Sequence, residues 1–252
     1  GEKSVRFAAT SHGGKPLCGI TPTTLQMKIN ILILLGFCFI TKYTFGQNTF
    51  KLTNSSEKYF VIINVSECDS WYCKGNGTVK VYDKRTNKFR QSFSSENLFT
   101  ELNKESKKPT ENHHQLYDGT SAIIFNDFNF DGFEDLAIRN GNLGSYSGPS
   151  YDIYIYKTVS NKFKLDEHFT SIATHTGMFF IDKKRKRLIT HESAGYSTHI
   201  TEEYKIQSGK PLKVKIITEE STYKNEVIIT TKVLVKNKWK ASPKKYVTSK
   251  PK

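Results

Sequence analysis

The chain has 252 residues, a formal charge of +14, 13% aromatic residues and 37% hydrophobic residues. This composition excludes wholesale disorder and is enough for one or two domains with a buried core. The basic excess is spread along the chain, and its densest cluster, "DKKRKRL" at 182–188, stands between two apolar runs. We interpret that cluster as a solvated hairpin turn and expect no nucleic-acid partner.

The N-terminal residues predict export. Residues 1–26 have no apolar periodicity, and we interpret them as an extension or a start-site artefact. Residues 27–46 begin with a basic Met-Lys pair, continue through the apolar run Ile31–Ile40 and end in polar residues and a small Gly46. This layout is typical of a secretory signal peptide, and its apolar run is short for a membrane span.

The predicted compartment is therefore periplasmic or extracellular, with no stable transmembrane span in the mature chain. A lipoprotein signal around Cys38 is disfavoured, because the bulky Phe37 stands where a small residue usually precedes such a cysteine. In an oxidising compartment the two remaining cysteines, Cys68 and Cys73, predict a disulfide. Their CxxxxC spacing suits neither a CxxC redox pair nor a zinc site.

Residues 47–240 predict a single β domain. They contain many short β-branched and aromatic runs separated by turn sequences, which is typical of an all-β fold, either small and β-propeller-like or a multi-sheet meander. Helical character is limited to residues 94–106, "SSENLFTELNKES". Residues 105–118 are interpreted as an exposed loop, and residues 241–252 as a flexible basic tail.

The segment "DFNFDGFED" has the spacing of a calcium loop. Side-chain oxygens stand at its positions 1, 3, 5 and 9, a glycine stands at position 6, and a backbone carbonyl is offered at position 7. An EF-hand would need a glutamate at position 12, where the chain has Ile138. The other interpretation is an acidic β-turn with solvated carboxylates. The candidate Ca²⁺ ligands are Asp127, Asn129, Asp131, Phe133 and Asp135.

Two glycine-containing segments follow the acidic loop. "SGPSY" contains Ser147, Gly148 and Tyr151 in an SGxxY pattern, and "ESAGYSTH" spans Glu192–His199. Taken alone, "SGPSY" also fits an ordinary glycine-rich turn that enters a strand.

The order of these motifs, from "GTVKVYDK" to "IITEE", resembles a family of exported, calcium-binding, FG-GAP-like β-propeller proteins. That family includes lysozyme inhibitors and immunity proteins that neutralise peptidoglycan-cleaving toxins of type IV secretion. The resemblance implies that the acidic loop binds calcium. It also implies that Ser147, Gly148 and Tyr151 form an inhibitory loop that plugs the cleft of a lysozyme-like hydrolase. Because this chain is strongly basic, the expected target is an acidic hydrolase.

The expected inhibitory chemistry follows from the target. Glycan hydrolases use two carboxyl groups that flank the scissile bond. The hydroxyl groups of Ser147 and Tyr151 can donate hydrogen bonds to them, Tyr151 adds a rigid anchor, and Gly148 permits close backbone approach.

Inhibition has two alternatives, catalysis and glycan binding. The sequence has no HExxH or GxSxG motif, and its histidines are scattered, so we expect no enzymatic activity. The second alternative is a calcium-stabilised adhesion or glycan-binding module. Its candidate sugar-stacking residues are Trp71, Tyr72, Tyr146 and Tyr196.

Overall fold

The computed structural model describes residues 48–111, 121–222 and 226–247. The predictions for the extension and the signal peptide lie outside these residues, as do part of the predicted loop at 105–118 and the end of the predicted tail. Within the described part of the chain, no helix is long and apolar enough to cross a membrane.

The described residues form three antiparallel sheets in which strands that follow one another in sequence lie side by side. The first sheet contains β1 (Asn48–Leu52), β2 (Tyr59–Cys68), β3 (Tyr72–Asp83) and β4 (Phe89–Glu101). The middle sheet contains β5 (Ile123–Asn126), β6 (Asp135–Arg139), β7 (Tyr151–Lys157) and β8 (Lys162–Leu165). The third sheet contains β9 (Phe180–Asp182), β10 (Arg187–Ser193), β11 (Thr198–Gln207), β12 (Lys210–Ser221), β13 (Glu226–Val235) and β14 (Lys238–Val247). The prediction of an all-β, multi-sheet meander is confirmed.

The middle sheet is buried on both faces. Successive side chains of a strand point to opposite faces, so Ile123 of β5 lies in one hydrophobic cluster and Ile124 in the other. In β6, Leu136 likewise packs with the first sheet and Ala137 with the other cluster, which contains residues of the third sheet. Strands buried on both faces have near-continuous apolar sequences, as these two do.

The helix of the described residues does not lie where the sequence predicts it. The predicted helix at 94–106 is wrong, because residues up to Glu101 continue strand β4. Pairing with β3 and burial of Leu98 outweigh the helical propensity of this segment. The helix of the described residues, α1 (Glu167–His175), instead follows β8. Asp166 caps α1 by accepting hydrogen bonds from the backbone N–H groups of His168 and Phe169.

Strand β14 occupies part of the segment interpreted as a flexible tail. It runs over Lys238–Val247 and pairs with β13 along its whole length. The sequence concealed this strand because lysines and Pro243 dilute its apolar pattern.

The predicted disulfide joins Cys68 to Cys73. The two residues face each other across β2 and β3, and Cys73 is fully buried. The bridge therefore closes the β2–β3 hairpin at its turn.

We expect the Cys68→Ser, Cys73→Ser double variant to lose about 2 kcal/mol of unfolding free energy, because the bridge closes a loop of only six residues. Urea unfolding of wild type and variant measures this loss. Peptide mapping after alkylation should find both thiols blocked in the wild type; alkylation of either one in the folded protein would contradict the assignment.

Candidate functional site

The segment between β6 and β7 forms a loop whose base is held by hydrogen bonds. The N–H of Asn140 donates to the carbonyl of Ser150 at 2.9 Å, and the N–H of Ser150 donates to the carbonyl of Gly141 at 3.1 Å. The buried Ser150 hydroxyl accepts a further bond from the N–H of Leu143 at 3.1 Å. The ends of the loop are thus fixed to the buried middle sheet.

The tip of this loop is a tight turn, Ser145–Ser147. The N–H of Gly148 donates to the carbonyl of Ser145 at 3.0 Å and closes it. Tyr146 and Ser147 have φ values of 54° and 60°, a left-handed conformation that is uncommon outside glycine and is kept only where the surroundings impose it. Tyr146 is 71% exposed, so the turn presents an aromatic side chain on a constrained backbone.

Gly148 lies where the two sides of this turn meet. A Cβ atom added to it would lie 3.0 Å from the Ser145 carbonyl oxygen, which is closer than a side chain normally approaches. The sequence predicts that Gly148 lets the backbone approach a target closely. In the structure, the close approach at Gly148 is to Ser145 of the same loop.

The expected contact role of Tyr151 is wrong. This residue is the first of β7 and is fully buried, with its hydroxyl donating to the carbonyl of Ser121 at 2.9 Å. Its side chain packs in the same cluster as Ile153 and Ile155. The period of two in "YDIYIY" contained this information, since Tyr151 shares the strand face of those two isoleucines. The exposed aromatic residue of the segment is Tyr146.

The second glycine-containing segment meets the first. Residues 194–197 connect β10 to β11, and the N–H of Gly195 donates to the Tyr146 hydroxyl at 2.7 Å. The Ser145 hydroxyl lies 3.0 Å from a carboxylate oxygen of Glu192 and 3.2 Å from the carbonyl of His175 at the end of α1. The two segments therefore form one surface, although 47 positions separate Ser145 from Glu192.

A cleft of about 540 Å³ opens beside these loops. Its wall contains apolar residues such as Met178 and Phe180, and ionisable residues from the third sheet. No described residue of this wall is Lys or Arg. The fully exposed Tyr196 projects from the neighbouring loop. The ionisable residues of the wall are His191, Glu192, His199 and Glu219.

The acidic loop at 127–135 adopts a tight, hydrogen-bonded turn between β5 and β6. The Asp127 carboxylate accepts the N–H groups of Asp131 at 3.0 Å and Gly132 at 2.8 Å. Asn129 donates through its side-chain amide to the Asp131 carboxylate at 2.8 Å. Gly132, at φ 91°, occupies the left-handed position where the chain reverses.

Asp135 is the most unusual residue of this loop, because its carboxylate is fully buried. It accepts the N–H groups of Phe128 at 2.9 Å and Tyr156 at 2.8 Å, which join the loop to β7. The pKa of Asp135 is raised to about 7, mainly by burial; the two N–H groups lower it, and the nearby Asp131 and Asp127 carboxylates contribute to the rise. A bound cation would stabilise the ionised form of this buried carboxylate, which lies near two others.

The candidate ligands fit calcium by chemistry, since the Asp127, Asn129, Asp131 and Asp135 side chains and the Phe133 carbonyl offer hard oxygen atoms and the turn glycine is in place. Within residues 48–111, 121–222 and 226–247, no three His, Cys, Asp or Glu side chains converge as metal ligands do. The observed hydrogen bonds use the same carboxylate oxygens that would face an ion.

Comparison with known proteins supports the fold alone. No family model matches the chain, and no curated protein matches it. A solved structure described as a Xanthomonas type IV secretion system related protein is similar over 78% of this chain and 97% of its own, with a TM-score of 0.59 and 18% identity. This chain therefore shares its overall fold with that protein.

Replacing Tyr151 by Phe should lower the unfolding free energy by about 1–2 kcal/mol, because it leaves the buried Ser121 carbonyl without this donor. Replacing the exposed Tyr146 by Phe is the matched control and should cost less. Thermal and urea unfolding measure both changes. An equal or larger loss for Tyr146→Phe would contradict the assignment of Tyr151 as the structural residue.

Proposed function

We propose that this protein is an exported inhibitor, of the immunity type, that blocks a lysozyme-like peptidoglycan hydrolase with the loop at Ser145–Gly148. The observation that carries the proposal is the hydrogen bond from Gly195 to Tyr146, which joins the two glycine-containing segments at an exposed, constrained tip. A rigid protrusion binds a cleft at low entropic cost, since little conformational freedom is lost. The shared fold with a protein related to type IV secretion is compatible with an exported role.

Because Tyr151 is buried, we assign the inhibitory hydroxyl groups to Tyr146 and Ser147 instead. The Tyr146 oxygen accepts the Gly195 N–H, so its own O–H remains free to donate. The Ser147 side chain is also exposed. These two hydroxyl groups donate to the catalytic carboxyl groups of the hydrolase, and the aromatic ring of Tyr146 fills its cleft.

The charge around the proposed plug differs from that of the whole chain. The net charge points to an acidic target, but the cleft wall beside Tyr146 contains Glu192 and Glu219 and no Lys or Arg among its described residues. Local charges at the interface, and not the sum over the chain, govern complementarity and encounter rate. The favoured target is therefore a hydrolase with basic residues around its active-site cleft.

Calcium forms the second part of the proposal. Asp127, Asn129, Asp131 and Asp135, with the Phe133 carbonyl, would hold the ion, and its charge would stabilise the ionised form of the buried Asp135. Asp135 also accepts the Tyr156 N–H of β7, the strand that follows the inhibitory loop. Calcium binding would therefore stiffen the sheet that holds the loop and would act on affinity indirectly.

Catalysis by this protein is disfavoured. Ser193 and His199 form the arrangement nearest to a nucleophile and base, with Oγ and Nδ1 3.1 Å apart. They are cross-strand partners beside a surface turn, and within the described residues His199 donates no hydrogen bond to an orienting carboxylate. A catalytic serine requires an oriented base.

The structure supports only part of the set of residues predicted to stack on sugars in the glycan-binding alternative. The ring of Trp71 has Lys104 and Lys107 within 5.6 Å of its centre, and Tyr72 stacks on Phe99 at 5.3 Å. These two aromatic rings therefore already have partners. Tyr146 and Tyr196 remain exposed beside the cleft and could stack on a sugar.

Calcium should raise the melting temperature of the purified protein, because an ion that binds only the folded state stabilises it. Asp131→Ala should abolish this rise, whereas Glu96→Ala, at an exposed acidic residue of the first sheet, should retain it. Differential scanning calorimetry with Ca²⁺ and with chelator measures the change. Identical melting of the wild type under both conditions would remove calcium from the proposal.

The plug predicts a concentrated loss of inhibition. Tyr146→Ala and Ser147→Ala should each weaken inhibition of the cognate hydrolase by about 1–4 kcal/mol, the range of an interface anchor. Trp71→Ala is the control, because it removes an exposed aromatic residue of the β2–β3 turn and should leave inhibition unchanged. Titration against lysozyme-type enzymes, both basic and acidic, measures inhibition constants and the preferred charge class.

The outcomes of this titration are separable. Full inhibition by the Tyr146→Ala, Ser147→Ala double variant would move the interface to another surface. Failure of the wild type to inhibit any muramidase or amidase, together with binding of isolated glycans, would favour the glycan-binding alternative.

A further inference from the structure

The three basic turns of the third sheet lie at the same end of its strands, and this row of strand ends is the edge discussed here. In an antiparallel meander, alternate turns fall on the same side, so the turns β9–β10, β11–β12 and β13–β14 share the edge opposite to the loop at 194–197. Six strands at about 4.8 Å spacing make this edge about 24 Å wide. The edge residues with basic side chains are Lys183, Lys184, Arg185, Lys186, Arg187, Lys205, Lys210, Lys236, Lys238 and Lys240.

The acidic residues near this edge do not neutralise it. Arg185 forms ion pairs with Asp182 at 2.6 Å and Glu203 at 3.1 Å, so one basic residue accounts for two acidic ones. Lys213, further along β12, pairs with Glu202 at 2.6 Å. The strands β13 and β14 contain no acidic residue between Val227 and Val247. The outer part of the edge is therefore uniformly positive.

The last turn adds apolar side chains to this charge. Pairing of β12 with β13 ends at Val233, and the hairpin continues to Lys236 and Asn237, which are both left-handed, as in a type I′ turn. Trp239 is 44% exposed there, and Val233 and Val235 are exposed as well. Tryptophan beside lysines is typical of segments that lie at a membrane–water interface.

We propose that this edge, here called the basic edge, docks the protein on an anionic lipid surface. Lysines of the three turns contact the headgroups, and Trp239 enters the interfacial region. Charge complementarity and the placing of three basic turns at one end of the sheet favour an extended surface as the partner, because attraction to an anionic membrane grows with each basic residue that reaches it. The proposal does not depend on hydrolase inhibition.

A nucleic acid is the competing polyanion, and the exposed apolar residues argue against it. Phosphate binding is driven by counterion release and needs no apolar side chain. Entry into the headgroup region uses both the lysines and Trp239. The two partners therefore differ in what they do to the environment of Trp239.

Vesicle binding by the full chain tests the basic edge. We expect binding to vesicles of phosphatidylglycerol and phosphatidylcholine and release by raised salt. The Lys236→Glu, Lys238→Glu, Lys240→Glu variant should bind at least tenfold more weakly, and so should the Lys183→Glu, Lys184→Glu, Lys186→Glu variant. The control variant with the same charge change, Lys80→Glu, Lys88→Glu, Lys164→Glu, replaces exposed lysines of the other two sheets and should bind almost as the wild type.

Binding to pure phosphatidylcholine vesicles, which have no net charge, serves as a control. It measures any binding through the apolar run Ile31–Ile40, which is common to all variants. Trp239 is one of two tryptophans, so its emission is isolated in a Trp71→Phe background and should shift to the blue on anionic vesicles. An equal loss of vesicle binding in the control variant would show that binding depends on net charge and not on the basic edge, and would overturn the proposal. Tighter binding to duplex DNA than to vesicles, without a shift in Trp239 emission, would also overturn it.

Discussion

The fold depends on burial of the middle sheet on both faces. Because β5, β6 and β7 send alternate side chains into two hydrophobic clusters, their polar and irregular segments must emerge at the strand ends. The acidic loop leaves at the β5–β6 connection, and the loop with Tyr146 leaves at the β6–β7 connection. Both candidate segments are thus anchored directly to the core, which holds their backbone in place.

The sequence allowed prediction of features that depend on local pattern. The disulfide between the two closely spaced cysteines and the turn at 182–188 both appear in the structure as expected. Features that depend on tertiary pairing were not predictable in the same way. Residues 94–101 have helical propensity, yet they form a strand because β3 pairs with Ser94, Ser95 and residues 98–101.

The motif pointed to the candidate loop, but not to the exposure of its side chains. The motif placed Ser147, Gly148 and Tyr151 together, whereas burial decides which of them faces solvent, and Tyr151 faces the core. The contact between Tyr146 and Gly195 joins segments far apart in sequence, and no local pattern contains it. Total charge was equally uninformative about the site, because the topology of the third sheet gathers basic turns on one edge and leaves carboxylates beside the cleft.

Strand β14 has a consequence for behaviour at high concentration. It is the outer strand of a long sheet, and such a strand exposes unpaired N–H and C=O groups to which a second molecule could add. Pro243 removes one of these donors, and Lys238, Lys240 and Lys244 repel an identical strand. At the other side of the sheet, β9 is only three residues long. Within the described residues, both outer strands of the sheet therefore have features that oppose self-addition.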